Sequence, residues 1–129
     1  MHNTNSPTEV SDDSIEAEIR RKGKTARRIT PADIDAAISS EHYFTAAQGV
    51  AGAESAGAEP RDLEGIPALG LLTICVLVLR NGFIVTGESA CASPENFDAE
   101  IGRKVARSNA KQKMWPLLGY MLKEVMAWE

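Results

Sequence analysis

Three basic residues recur every four positions in the C-terminal third of the chain: Arg103, Arg107 and Lys111, with Lys104 and Lys113 beside them. On a helix that spacing places them on one face, where guanidinium forks can clamp phosphate oxygens. The same row also fits an ordinary solvated face, with Glu100 pairing to Lys104 one turn on. Just upstream, Ser93-Pro94-Glu95 has the order cap, proline, acid that opens a helix. Ser93, Asn96 and the free amides of that start can hold an anion, or they can simply cap. The aromatics are a third element. Phe83 directly follows Asn81-Gly82, and Tyr43 and Phe44 are adjacent; each either packs in the core or stacks on a base. The chemistry on offer is that of a small binding module for a phosphorylated ligand.

Catalysis and metal binding have less support. Glu88, Asp98 and Glu100 are carboxylates with no matching nucleophile, base or metal set. Ser89 sits in Gly-Glu-Ser-Ala-Cys, which is not a nucleophile elbow, and His42 is the one histidine that could serve it. Cys75 and Cys91 lack metal spacing and are too few for a disulfide framework, so free buried thiols in a reducing cytosol are expected. The expectation is a non-enzyme with no metal and no cofactor.

The elements that must position these groups can be drawn from the pattern. The chain has 129 residues, 43% apolar and 25% charged, which suits one soluble domain. Its net charge of -4 argues against a nonspecific nucleic-acid binder. The most apolar run, Ile66 to Leu79, is too short to span a membrane, and the polar start shows no signal peptide; a cytoplasmic protein is expected. Residues 1–28 form a polar, then basic, flexible tail, in which Ile15 and Ile19 support a helical turn or two. Residues 29–129 form a single α+β ligand-binding domain.

Within that domain Thr30-Pro31-Ala32-Asp33 predicts a helix over 31–41. The Ala/Gly/Glu-rich stretch 45–65 predicts a long loop, either covering a ligand or without order. Leu71 to Leu79 predicts a strand, and Asn81-Gly82 a two-residue hairpin turn. That turn pairs Arg80 with Phe83, Val78 with Val85 and Val76 with Gly87. Gly87 leaves a gap where another group can come close. A helix starting at Ser93 would bury Phe97, Ile101 and Val105. Pro116 breaks it, and 117–128 continues with Leu118, Leu122, Val125 and Met126 as a core or oligomer face. Two strands cannot make a stable sheet. Either the loop supplies more or another subunit does, which favours an oligomer.

The segments LTICVLVLRNGFIVTGESACASPENFDAEIGRKVA and WPLLGYMLKE, with the opening ITPADIDAAISSEHYF, resemble a small protein family of the tailed bacteriophages, over residues 29–126. The string NGF-x-VTGESAC-x-x-P-x-NFD-x-EIG carries the likeness. One branch of that family is the Thoeris anti-defence proteins of the first type. The resemblance implies a noncatalytic sponge that sequesters cyclic nucleotide immune signals in the cytoplasm of the infected bacterial host. The signals are cyclic ADP-ribose isomers and, for some members, cyclic di- or trinucleotides of cyclic-oligonucleotide signalling. It implies a homo-oligomer, dimer to hexamer. It makes Phe83 the stacking aromatic, Ser93 a polar contact, and Arg103, Arg107 and Lys111 a phosphate clamp; Tyr43 and Asn96 remain candidates from the residue reading above. Shorter members carry an arginine after the aromatic pair; here Thr45 stands there, and Arg61 is the residue that could substitute. The alternative is a phage interaction protein whose helical surface and basic tail bind a host protein or nucleic acid.

Overall fold

The computed structural model of the chain describes residues 11–57 and 66–129. Its centre is an antiparallel three-stranded sheet in the order β1 (Ile38–Thr45), β2 (Leu72–Leu79), β3 (Ile84–Ala90). Helices α1 (Asp12–Arg21) and α2 (Pro31–Ala36) precede it, and α3 (Ala46–Ser55) follows β1. Helices α4 (Ala99–Gln112) and α5 (Met114–Ala127) close the chain. The fold is α+β, as the pattern predicts. Among the described residues no helix is long and apolar enough to cross a membrane.

The third strand comes in its first half from residues expected to be helical. The Thr30 hydroxyl accepts the Asp33 amide and the Asp33 carboxylate accepts the Thr30 amide, so α2 starts where the cap predicts. It ends at Ala36, well short of 41. Ile38 to Thr45 instead pairs with β2, from Ile38 opposite Leu79 to Thr45 opposite Thr73. Ile34 and Ile38 are one helical turn apart in sequence, but the edge of β2 offers Ile38-Ser39-Ser40 a ladder that outweighs a weak helix. The missing strand is therefore supplied within the chain, and the sheet does not require a second subunit.

The expected loop 45–65 is also partly helix. Thr45 and Gln48 form a reciprocal capping box, amide to side chain in both directions, at 3.1 and 2.9 Å. Residues 58–65, with Arg61, lie outside the described residues, as do residues 1–10 of the tail.

The hairpin register differs by one residue from the expected one. Leu79 donates its amide to the Phe83 carbonyl at 2.8 Å, and Gly82 to Leu79 at 2.9 Å. The loop is Arg80-Asn81-Gly82, with Gly82 alone at positive φ, +87°. Asn81 keeps a negative φ and instead accepts the Phe83 amide with its side chain. Val78 then pairs with Ile84, Leu77 with Val85 and Cys75 with Gly87. A slip of one residue moves every β3 side chain to the other face. Val85 is thus buried with Cys75, Leu77 and Leu79, while Ile84 is exposed.

Helix α4 covers that face. It begins later than expected: the Asp98 carboxylate, not Ser93, caps it by accepting the Ile101 amide at 3.0 Å, and Pro94–Asn96 is a separate 3₁₀ turn. The buried stripe is Gly102, Ala106 and Ala110, running on to Met114, while Ile101 is exposed. Small residues win because the backbones touch: a Cβ on Gly87 would lie 2.2 Å from the Ala106 carbonyl oxygen. The helix bends at Lys113, between α4 and α5. Pro116 has no amide for Gln112, and its ring opposes that carbonyl. Both cysteines are free and buried.

Helix α1 is longer than the one or two turns expected, and it is docked. The Trp115 indole donates to Asp12 at 3.3 Å, and Arg28 grips both oxygens of Glu16. No residue of α1 is buried, so these polar ties matter. Hydrogen bonds from Arg28 and then Arg20 hold the Glu16 carboxyl down to about 2. A depressed carboxyl contributes fully above its unfolded value and is lost as pH falls through its folded one. Helix α1 should therefore detach between about pH 4.5 and about pH 2. The Trp115 indole N–H resonance should report the detachment, ahead of loss of the β-sheet signals. A resonance that stays put until global unfolding would refute it.

Candidate functional site

At the end of the sheet where β1 runs into α3 there is a cleft of about 190 Å³. β1 lines it with Tyr43, Phe44 and Thr45, and β2 adds Thr73. α3 brings Gln48, and the α4 start brings Phe97, Ala99 and Arg103. The capping box fixes Gln48 over the strand end. Gly49 lets α3 lie against the Phe44 ring, since a Cβ there would sit 3.3 Å from it. Arg103 is exposed and makes no hydrogen bond or ion pair among the described residues. Among the described residues the walls are drawn from three aromatic residues, one arginine, two threonines, a glutamine and an alanine, and Phe44, next to Tyr43 on the strand, points its ring to the opposite face, against α3.

The basic row of α4 splits by position. Arg107 donates to both oxygens of Glu41, at 2.9 and 3.1 Å, and lies 3.6 Å from Asp35. Lys111 pairs with Asp35 at 2.8 Å. These two cations tie α4 to β1 and α2, and to reach a phosphate they must first exchange those carboxylates. Their hydrogen bonds lower the Glu41 and Asp35 carboxyls below the usual range: Arg107 acts chiefly on Glu41, and Lys111 on Asp35. The Tyr43 hydroxyl donates to Glu41 at 2.7 Å, and burial, then Glu41, pushes its proton loss upward. Tyr43 thus offers the cleft its ring, with its hydroxyl already engaged.

Arg107→Ala should lower stability by about 1 kcal/mol, because the pair is part-exposed and Glu41 retains Tyr43. A chemical denaturation midpoint measures this. A loss several times larger would mean that the tie holds the core together.

The remaining predicted residues lie elsewhere. Phe83 is 54% exposed at the hairpin turn. It sits opposite Leu79, six β2 residues from Thr73, or about 20 Å along the strand. Within one chain it cannot join the cleft. The Ser93 hydroxyl donates to Glu95 at 2.5 Å, and the Ser93 carbonyl accepts the Cys91 thiol and the Asn96 amide. Ser93 and Asn96 therefore shape the 3₁₀ turn leading to Phe97. Ser89 is buried on the face covered by α4, while His42 lies on the opposite face with Ser40 3.0 Å from its ring. No cluster of three metal-ligating side chains occurs among the described residues.

Sequence reasoning left out Thr45, Gln48 and Thr73. The spacing Thr-x-x-Gln is a capping box, and that signal would have found both α3 and the first two of these residues.

These features define a small α+β protein with an aromatic cleft bearing one arginine at the end of its sheet. The chain belongs to the phage protein (N4 Gp49/phage Sf6 gene 66) family, whose pattern matches residues 29–126. No curated protein and no solved structure matches it.

Proposed function

We propose that this phage-family protein binds a cyclic nucleotide immune signal in the cytoplasm of the infected host and holds it unchanged, as an anti-defence sponge. The cleft carries this reading. Tyr43 and Phe97 line it, and a base stacked on an aromatic ring gains about 1–3 kcal/mol. Arg103 supplies a cation for a phosphate, which gains from its planar fork. Thr45, Thr73 and Gln48 suit ribose hydroxyls and base edges. Cyclic ADP-ribose isomers, with one base and two phosphates, fit this combination best; cyclic di- and trinucleotides are the next class.

The competing class is a protein that docks on a host protein or nucleic acid through the basic arm. Four cations of that arm are already paired, Arg20 and Arg28 with Glu16, Lys22 with Glu18 and Arg27 with Glu129, which weakens that reading.

A stoichiometric sponge must outcompete a receptor, and a Kd near 1 nM corresponds to about -12 kcal/mol. The test is calorimetric titration of the protein with cyclic ADP-ribose isomers and cyclic di- and trinucleotides, followed by heat release and mass measurement of the ligand. Tight binding with the original mass returned supports the sponge. Silence across the panel, or an altered mass, overturns it.

A further inference from the structure

The buried side of β2 holds Thr73, Cys75, Leu77 and Leu79, and only the first of these is polar. A valine at 73 would have nearly the same shape and would extend the apolar row under α4. The hydroxyl instead costs desolvation, and a buried polar group of this kind calls for a reason. Thr73 is 3% exposed, yet its hydroxyl makes no hydrogen bond among the described residues. Among those residues, no side-chain polar atom shut off from solvent lacks a partner. The Thr73 oxygen therefore keeps a small opening, and the cleft that Thr73 lines is where it opens.

Gln48 stands in the same cleft with half of its side-chain amide already used. Its Oε1 accepts the Thr45 backbone amide at 2.9 Å, and its own backbone amide donates to the Thr45 hydroxyl at 3.1 Å. The capping box thus fixes which end of the side chain is engaged, and it leaves the NH2 group to donate. The cleft then has three kinds of wall. Tyr43 and Phe97 are aromatic, Arg103 is cationic, and Thr73 with Gln48 is neutral and hydrogen-bonding. These match, in order, the base, the phosphate and the sugar of a nucleotide.

We propose that Thr73 and Gln48 form a ribose subsite, so that the cleft takes ribonucleotides in preference to their deoxy counterparts. The inference rests on the cyclic-nucleotide reading of the cleft and adds the sugar to it. A ribose hydroxyl both accepts and donates. It accepts from the Gln48 NH2 group and donates to the Thr73 oxygen. A phosphate oxygen only accepts, and it has Arg103 for a partner. A deoxy sugar would leave the Thr73 hydroxyl unpaired and close off its remaining solvent. A site built to bond a hydroxyl rejects the ligand that lacks it, because its own polar groups are then buried without partners.

The test is titration calorimetry on the full chain, together with urea denaturation. The probes are cyclic ADP-ribose and cyclic di-AMP, each beside its counterpart built on 2′-deoxyadenosine. Wild type should bind the ribose form of one or both about tenfold or more tightly than the deoxy form. Thr73→Val should bring that ratio close to one by weakening the ribose form. Its denaturation midpoint should hold or rise, because no bond is broken and an unpaired hydroxyl is removed from the interior. Thr73→Ser keeps the hydroxyl and should keep the preference. Equal binding of ribose and deoxy forms by wild type would overturn the ribose subsite and leave the cyclic-nucleotide reading standing. So would a ratio unchanged in Thr73→Val, or a midpoint lowered as by a broken buried hydrogen bond. Silence toward all four probes would remove the reading itself, and the ribose subsite with it.

Discussion

Gly87→Ala should leave the protein unfolded or nearly so. The new Cβ would lie 2.2 Å from the Ala106 carbonyl oxygen, 2.3 Å from the Ala110 amide nitrogen and 2.9 Å from its Cα. All three atoms are helix backbone, so no rotamer change relieves the clash. Overpacking against side chains commonly costs about 1–3 kcal/mol. Here α4 as a whole must move off the sheet, separating Ala106 and Ala110 from Cys75, Leu77 and Val85. A loss above ~3 kcal/mol is expected, a large part of a typical domain's 5–15 kcal/mol. Gly119→Ala is the matching control. It sits inside α5 with open space around it, and should gain about 0.5–1 kcal/mol through helix propensity. Urea midpoints of the two variants should move in opposite directions. A Gly87→Ala shift under ~1 kcal/mol would mean that helix and strand are not in backbone contact.

Arg103→Ala should have the largest effect on ligand binding that leaves the fold intact. Its side chain is exposed and holds nothing else together among the described residues, so circular dichroism and denaturation should match wild type. A charge-assisted hydrogen bond to phosphate contributes about 1.5–3 kcal/mol, so affinity for the signal nucleotide should fall roughly 10- to 150-fold. Phe83→Ala distinguishes the two geometries on offer. If the cleft of one chain is the whole site, that variant binds as wild type does. If affinity falls as far as with Arg103→Ala, the site is built from two chains, with the Phe83 end of one against the cleft of the other. Wild-type affinity in Arg103→Ala would remove the cleft from the functional reading.

Of the two cap–proline signatures read in the sequence, one opens an α-helix, while Ser93-Pro94 opens a 3₁₀ turn and α4 starts at Asp98. Thr30-Pro31 opens α2 as expected, Pro116 marks the bend, and Gly87 is a site of close approach. What the sequence hid were features set by partners distant in the chain. Residues 38–41 are ambiguous alone and become strand because β2 presents an edge. The hairpin loop took three residues where Asn-Gly suggested two, and the stacking of Cys75, Leu77 and Val85 under α4 decided between them. The site was legible as residue types but not as a place. Arg103 and Tyr43 do meet at one cleft. Arg107 and Lys111 have the right spacing for a clamp, but the fold brings Glu41 and Asp35 against them. Nothing local to α4 reveals those carboxylates, which come from 66 and 76 residues earlier in the chain.

The pairing of Leu79 with Phe83 also sets where this chain can vary by insertion or deletion. Residues directly opposed in an antiparallel pair face the same side, so a shorter or longer turn at Arg80-Asn81-Gly82 leaves the sides of β3 unchanged while that pair holds. A one-residue deletion inside β3 is different: every residue beyond it turns over, so that removing Ile84 would set Val85 outward and bring Thr86 and Glu88 under α4. Heritable length variation should therefore collect at the hairpin tip and be absent from the strand that follows it.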